Sequence, residues 1–226
     1  MFQNLSEDLR RYGNPWQQVK ALLFAPRVWA VVGFRFAHWV HTVRIPSIVR
    51  LPLKILVAFI AVFIDLATNI EFPPKVAIGP GLFIPHSGYI VVASTVTIGR
   101  HCTLTQGVTI GHRGGGHLKS FAAPVIGDRV YIGPGAAVLG PISIGDDVLI
   151  GANAVVTRSV PSRAVVVGNP ARVISMKGAF ALVSYDWMER DPERRASLAE
   201  VGDQRANVVA EQRHQDPTLA IERAKL

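Results

Sequence analysis

The stretch LFIPHSGYIVV at residues 82–92 places one histidine, His86, inside an otherwise apolar run. An imidazole titrates near neutral pH, so His86 is a candidate general base, a group that withdraws a proton from an attacking hydroxyl or amine. A histidine isolated among aliphatic residues can also be a core residue without any chemical role. This stretch alone leaves both interpretations open.

Two further histidines, His112 and His117, flank a glycine-rich segment with the sequence HRGGGHLKSFAAP. Histidines in polar loops are candidates for substrate contact, although more of them are simply solvated. His101 lies in an ordinary repeat and is expected at the surface. The sequence contains no cluster of residues with metal-ligand spacing, so no metal is predicted.

Residues 76–174 must position these groups, and they contain a repeat of six residues. No helix has a period of six, whereas one short strand and a turn fill six residues. Each hexapeptide is therefore predicted to form one side of a solenoid, with three sides per coil and about four coils. The repeated aliphatic residues are Ile98, Leu104, Ile110, Ile126, Ile132, Val138, Ile144, Ile150 and Val156.

The repeat is interrupted between Ile110 and Ile126, where the sixteen-residue step is ten residues longer than one repeat. Insertions in a solenoid project from its corners, so the glycine-rich segment is predicted to form a loop. A loop of this length usually serves binding or assembly.

Residues 1–75 are predicted to form a helical region with two long apolar runs, of which the second approaches the length of a membrane span. Lys54 and Asp65 lie three helical turns apart and therefore share one face of that second helix. Packing against the protein or a sister subunit, an interfacial membrane helix and a true span all remain open. An anionic membrane surface is favoured by the flanking residues Arg27, Arg44, Arg50 and Lys54.

The net charge of +8 predicts an anionic partner. Nucleic acid is excluded, because the basic residues are scattered and no nucleic-acid-binding motif is present. The single cysteine, Cys102, excludes an internal disulfide and suits a reducing compartment. The polar N-terminus does not resemble a signal peptide, so a cytoplasmic protein is expected, with peripheral attachment to the inner face of the membrane as an alternative. Residues 175–226 are predicted to be a polar helical tail without chemistry.

The hexapeptide repeat, the loop and the ending VVVGNPARVI together resemble the left-handed β-helix acyltransferases. The resemblance covers about residues 70–175. It implies a mainly β fold, a left-handed parallel β-helix between the N-terminal helical region and the C-terminal tail. It also implies transfer of an acyl group, usually acetyl, from coenzyme A to a hydroxyl or amine. Members of the family are typically homotrimers with active sites between subunits.

Within this superfamily the sequence is most similar to serine acetyltransferases and their relatives in polysaccharide gene clusters. Serine acetyltransferases have an Asp-Ile-His-Pro stretch and, after it, an Asp-His-Ala-Thr-Gly stretch. EFPP, which begins at Glu71, and PHSG, which contains His86, stand at these places. The resemblance therefore implies that His86 is the general base and that Glu71 is the carboxylate that supports it.

Two departures from the serine acetyltransferase pattern concern the acceptor. Pro85 replaces an aspartate of the family, and FAAP at residues 121–124 replaces the Asp-Arg-His-Pro motif that helps to hold the amino acid. A desolvated serine needs charged partners. A sugar hydroxyl in polysaccharide biosynthesis is therefore expected as the acceptor, as in the colanic acid acetyltransferases. A serine O-acetyltransferase is the alternative enzyme, and a non-catalytic scaffold is the alternative of another class.

The resemblance also implies a binding site for acetyl-CoA along the coils. Gly133, Ala152 and Thr157 match the positions that contact the pantetheine arm, and Arg158 and Arg172 match cations for the nucleotide phosphates. His112 and His117 are the expected substrate contacts. Each of these residues also has a structural interpretation, because small residues fit tight corners and arginines keep a surface soluble.

Overall fold

The computed structural model describes residues 2–113 and 123–185, together with residues 192, 196 and 199. Four helices come first: α1 (Phe2–Arg10), α2 (Pro15–Phe24), α3 (Pro26–Thr42) and α4 (Ser47–Thr68). The chain is therefore a mixed helical and β protein, and the expectation of a mainly β fold was too narrow. Most of the predicted tail, residues 175–226, lies outside the described residues.

Local sequence signals explain where these helices begin and end. Asn14 caps α2, since its side chain accepts a hydrogen bond from the Gln17 N–H while the Gln17 side chain accepts one from the Asn14 N–H. Pro15 and Pro26 begin α2 and α3, at a position where the missing N–H costs nothing. After α4, Asn69 adopts a left-handed conformation with φ of 53°, which ends the helix.

Within the described ranges, 2–113 and 123–185, fourteen short strands follow and assemble into three sheets. Sheet 1 contains β1 (Ile70–Glu71), β3 (Ile90–Val92), β6 (Thr109–Gly111), β9 (Ala137–Leu139) and β12 (Val155–Val156). Sheet 2 contains β2 (Ala77–Ile78), β4 (Thr97–Ile98), β7 (Val125–Ile126) and β10 (Ser143–Ile144). Sheet 3 contains β5 (Thr103–Leu104), β8 (Tyr131–Ile132), β11 (Leu149–Ile150), β13 (Val165–Val167) and β14 (Arg172–Ser175).

The chain visits sheets 1, 2 and 3 in turn, so each circuit is one triangular coil. Neighbouring strands are parallel, except that β14 is antiparallel to β13. Beyond the insertion the coils are regular, because Ile132 pairs with Ile150 and Val138 with Val156, both eighteen residues apart. Sheet 1 contains five strands, so the solenoid is one coil longer than the sequence predicted.

The nine repeated aliphatic residues all point inward, and none is more than 2% exposed. Strand side chains alternate between the two faces, so the residue two positions earlier in each repeat also points inward. This second set of inward residues was not identified from the sequence. It includes Cys102, and complete burial raises the pKa of that thiol to about 12. The set comprises Val76, Val96, Cys102, Val108, Val130, Ala136, Val148, Ala154 and Ala164.

The first coil has no preceding coil to cover its core or to pair with its backbone, and the helices take that place. Arg35 is buried and donates hydrogen bonds of 2.6 Å to the carbonyl oxygens of Ile78 and Gly79. The same guanidinium binds the buried Asp8 carboxylate through two hydrogen bonds of 2.7 and 3.0 Å. Asp8 also accepts a 2.7 Å hydrogen bond from the Leu82 N–H.

Residues just after α1 bind the next part of this edge. The Arg11 guanidinium donates hydrogen bonds of 2.8 and 2.9 Å to the carbonyl oxygens of Gly81 and Cys102. The Tyr12 hydroxyl donates to the Ile84 carbonyl oxygen at 3.2 Å and accepts from the Ile84 N–H at 3.3 Å. Side chains from the helical region therefore replace the missing coil.

His101 lies at the corner between sheets 2 and 3, and it is 5% exposed rather than on the surface as expected. This corner places one left-handed residue in each coil, and His101 fills that position in the second coil with φ of 55°. Its ring stacks on Tyr185 with a centroid distance of 4.8 Å. Burial, followed by the charge of Arg11, lowers the pKa of His101 to about 4.

Replacement of Arg35 by alanine is expected to lower the free energy of unfolding by about 3–5 kcal/mol, because it leaves the Asp8 carboxylate buried without a counter-ion. Urea unfolding measures this loss. Arg100→Ala is the control, since Arg100 is 54% exposed and lies 3.7 Å from Glu7. An exposed pair of this kind contributes about 0–1 kcal/mol. Equal losses in the two variants would contradict the role given to Arg35.

His101 is expected to make the fold sensitive to mild acid. Because the folded state holds its imidazole neutral, the unfolded chain binds more protons below the ordinary histidine pKa of about 6.5. Stability should therefore fall as the pH drops from about 6.5 towards 4, by up to about 3 kcal/mol. His101→Asn, which tolerates the left-handed conformation, should flatten this dependence in urea titrations at a series of pH values. An unchanged pH slope would show that another group is responsible.

Candidate functional site

His86 lies at the corner where the chain passes from sheet 3 of the first coil to sheet 1 of the second. Ile84 and Ile90 on either side are fully buried, whereas the His86 side chain is exposed. Gly88, with φ of 126°, and Tyr89, with φ of 40°, form the irregular turn between them. The extra residues of this segment therefore present the imidazole to solvent instead of filling the core.

The corner that contains His86 continues as one hydrogen-bonded edge along the solenoid, and we call it the His86 edge. Neighbouring strands lie about 4.8 Å apart, so the four steps from the level of His86 to the level of Gly168 span about 19 Å. The bonds are Gly107 N–H to Gly88 O (2.9 Å), Gly135 N–H to Gln106 O (2.9 Å), Asn153 N–H to Pro134 O (2.8 Å) and Val155 N–H to Gly168 O (3.0 Å). The edge comprises residues 86–88, 105–107, 133–135, 151–153 and 168–172.

Small residues in the middle of the His86 edge let neighbouring coils pack closely, and Gly133 is buried there. At Gly133 a Cβ atom would lie 2.8 Å from the Ala152 backbone nitrogen, so no larger residue fits there without a shift of the backbone. Ala152 itself is exposed on the following coil. Arg172, also exposed, lies at the far end of the edge at the start of β14. An exposed imidazole, a shallow strip and a cation thus follow one another along a line.

Three other predicted contact residues lie elsewhere. Thr157 and Arg158 follow β12 and lie at the corner between sheets 1 and 2, on the opposite side of sheet 1 from His86. His112 lies at that same corner, with its Nε2 atom 3.2 Å from the Thr95 hydroxyl. A three-residue strand is about 10 Å long, which is the separation of the two corners. His117 lies outside the described residues.

Glu71 is exposed on β1, opposite Val91 of the second coil. Among the described residues there is no hydrogen bond or ion pair between Glu71 and His86. Glu71 instead lines a cavity of 440 Å³ between α3, α4 and β1, together with Asp65. Partial burial raises the pKa of Asp65, and the Glu71 carboxylate raises it further. Support of His86 by Glu71 remains a prediction from the resemblance.

Gln106 is a residue of the His86 edge that the sequence analysis missed. Its side-chain oxygen is buried and has no hydrogen-bond partner within the part of the chain that the structure describes. A Cβ atom placed on Gly88 would lie 3.7 Å from the Gln106 Cβ, so Gln106 is directly below the turn that follows His86. A lone polar residue at the end of a repeat gave no local signal. Its position below the turn at Gly88 becomes visible only when the coils are stacked.

The described residues contain no group of three side chains able to hold a metal ion.

Comparison with known proteins assigns this architecture to a family. The family model described as bacterial transferase hexapeptide (six repeats) matches residues 123–158. A serine acetyltransferase of Mycobacterium tuberculosis is 40% identical over 162 residues, which cover 72% of this chain and 66% of the relative. Serine acetyltransferases of Synechococcus elongatus (38% identical, 79% and 70% covered) and Helicobacter pylori (41% identical, 72% and 87% covered) are similar.

Solved structures agree with these sequence matches. The soybean serine acetyltransferase apoenzyme has a TM-score of 0.64 and 32% identity, with 76% of this chain and 68% of that chain covered. The serine acetyltransferase of Brucella abortus in complex with coenzyme A has a TM-score of 0.63 and 28% identity, with 76% and 67% covered. The repeat family and these neighbours imply that the coil is left-handed.

The expected sugar acceptor was wrong, because the similar relatives are named serine acetyltransferases rather than polysaccharide acetyltransferases. That expectation took the absence of charge at Pro85 and at residues 121–123 as decisive. A free amino acid can be held by charges elsewhere in a site, so two short stretches do not determine the acceptor. This chain belongs to the serine acetyltransferase family of hexapeptide-repeat acyltransferases, enzymes whose co-substrate is acetyl-CoA.

Proposed function

We propose that this chain transfers the acetyl group of acetyl-CoA to the hydroxyl of serine, with His86 as the general base. The observation that supports this proposal best is the exposed imidazole at one end of a continuous, shallow edge that ends in Arg172. The names of the relatives supply the acceptor.

Acetyl transfer needs one proton to be moved twice. His86 withdraws the hydroxyl proton of serine while the hydroxyl oxygen attacks the thioester carbonyl carbon. The tetrahedral intermediate then collapses, the carbon–sulfur bond breaks, and the imidazolium returns its proton to the thiolate of coenzyme A. No net proton is consumed, and a positioned base contributes about 10²–10⁴-fold in rate.

Acetyl-CoA lies along the His86 edge in this proposal. The pantetheine arm contacts the edge at Ala152, which is exposed, while the buried Gly133 below it lets the two coils approach closely. Arg172 binds the nucleotide phosphates at the far end, because a guanidinium forms strong charge-assisted hydrogen bonds with phosphate oxygens. With the nucleotide at Arg172, the thioester at the opposite end of the coenzyme lies beside His86.

Residues at the opposite corner of sheet 1 act across a subunit interface in the proposed homotrimer. Thr157 and Arg158 lie about 10 Å from the His86 edge of their own subunit, at the far side of sheet 1. The insertion also begins at this corner, after His112 and the exposed Arg113. A neighbouring subunit that presents this corner to the His86 edge brings these cations to the serine carboxylate and the coenzyme.

The serine ammonium needs an anionic partner when it leaves water. Glu71 and Asp65 are two neighbouring carboxylates at the first coil, and Glu71 pairs with the strand that follows His86. Gln106 adds an amide with an unpartnered oxygen beside the His86 turn. We assign the acceptor to this side of His86, opposite the strip occupied by pantetheine.

Replacement of His86 by alanine is expected to lower kcat for acetyl transfer to serine by about 10²–10⁴-fold, with an unchanged KM for acetyl-CoA. Release of free thiol measures the rate. His38→Ala is the matched control, since His38 lies on α3, where its imidazole bonds the Pro74 carbonyl oxygen at 2.9 Å, and full activity is expected. Unchanged turnover in the His86 variant would exclude it as the base, and negligible turnover of the wild type with serine would exclude serine as the acceptor.

Replacement of Ala152 by aspartate is expected to raise KM for acetyl-CoA roughly tenfold, because a carboxylate on the shallow strip obstructs and repels an anionic ligand. Steady-state kinetics with varied acetyl-CoA measure the effect. Ala181→Asp places the same charge on an exposed residue away from the His86 edge and should leave KM unchanged. Equal KM values for both variants would place the coenzyme elsewhere.

A further inference from the structure

The face of α4 that points away from α3 is an apolar stripe in contact with solvent. On its other face Leu53 and Val57 pack against Ala37 and Val40 of α3. Residues 48–68 are long and apolar enough to cross a membrane by length and composition, and only 11% of the most apolar window is buried. An exposed stripe of this length marks an interaction surface. Its members are Ile48, Leu51, Ile55, Phe59, Val62, Phe63 and Leu66.

Cations predominate around this stripe, and Asp65, near the end of α4, is the one acid on the helix. Residues 9–64 contain eight lysines and arginines and no aspartate or glutamate. Arg11 and Arg35 bind the first coils, as described above. Within the described part of the chain, no ion pair involves Arg44, Arg50 or Lys54, which lie just before α4 or on it. A basic surface beside an apolar stripe complements an anionic lipid bilayer.

We propose that α4 attaches the protein to the surface of an anionic phospholipid bilayer. The helix lies in the plane of the interface, with Phe59, Phe63 and Leu66 in the acyl region and the cations among the headgroups. Apolar burial supplies the depth of attachment, and the cations supply the preference for anionic lipid. This proposal does not depend on the identity of the acceptor.

A helix that crossed the bilayer would conflict with the contacts of α4. Gly33 of α3 and Ile64 of α4 approach so closely that a Cβ atom on Gly33 would overlap the Ile64 side chain. Because α3 is fixed to the first coil by the buried Arg35, a crossing α4 would draw charged and polar groups of that coil into hydrocarbon. Lys54 and Asp65 would lie in the hydrocarbon as well. An interfacial position avoids these costs.

A second copy of the chain complements this surface less well. Two stripes that faced each other would bring together two helical regions whose residues 9–64 carry eight cations and no acid. Like charges across an interface oppose association, whereas anionic headgroups attract these residues.

Helix α2 also combines exposed apolar side chains with a cation. Trp16, Leu23 and Phe24 are exposed, and the Lys20 ammonium lies 5.4 Å from the Trp16 ring centroid.

Flotation of the purified full-length protein with lipid vesicles tests the proposal. We expect recovery with vesicles that contain phosphatidylglycerol, at least tenfold less with vesicles of phosphatidylcholine alone, and release at high salt. The double variant Phe59→Ser/Phe63→Ser should lose at least tenfold in vesicle binding. Arg44→Gln/Arg50→Gln should lose the preference for phosphatidylglycerol.

Met176→Ser/Leu182→Ser is the matched control, because it removes two exposed apolar side chains beyond the last coil. It should bind vesicles as the wild type does. Acetyl-CoA-dependent activity in all variants verifies folding, since none of these residues belongs to the site. Failure of the wild type to float with phosphatidylglycerol would overturn the proposal. Normal flotation of the Phe59→Ser/Phe63→Ser variant would also overturn it. If that variant changed only the mass of the assembly in light scattering, the stripe would be assigned to subunit packing.

Discussion

The buried ion pair between Asp8 and Arg35 is the interaction on which the first coil depends. A solenoid transmits its geometry from coil to coil through backbone hydrogen bonds, so an unpaired first edge would leave carbonyl oxygens and core side chains exposed. Burial raises the pKa of Asp8, and the hydrogen bonds from Arg35 oppose that rise. Arg35 also donates to two backbone oxygens of the first coil. The hydrogen bonds from Arg35 to these backbone oxygens therefore offset part of the free energy that burial of the ion pair costs.

The same edge connects the helices to the segment that contains His86. The Tyr12 hydroxyl bonds both the N–H and the carbonyl oxygen of Ile84, two residues before His86. Burial raises the pKa of Tyr12 to about 12, so this hydroxyl remains a neutral donor and acceptor throughout the working range of pH. The turn that exposes His86 is thus held on one side by Tyr12, just after α1, and on the other by the second coil. A general base needs such support, because proton transfer depends on a fixed direction of approach.

The repeat could be predicted because a period of six has one physical solution, a strand and a turn on each side of a coil. The nine inward positions from Ile98 to Val156 follow from that period alone. Burial of His101 could not be predicted, because its environment comes from Glu7 and Tyr185, which are distant in sequence. The Asp8–Arg35 pair has no local signal for the same reason. The acceptor was misjudged from two stretches, since charges in an active site converge from many parts of a chain.

The stacking order of the coils relates the proposed membrane surface to the proposed active site. The helices cover the first coil, which contains Glu71 and is joined to the second coil by the His86 turn. At the other end of the edge, Arg172 of β14 pairs with Val167 of β13. A bilayer on α4 would therefore lie nearest the acceptor end of the His86 edge and farthest from the nucleotide end. Acetyl-CoA, a soluble anion, would then enter at the end remote from anionic lipid, where like-charge repulsion is screened over a Debye length of about 8 Å. In these two proposals, the attachment surface and the coenzyme entrance therefore lie at opposite ends of the solenoid axis.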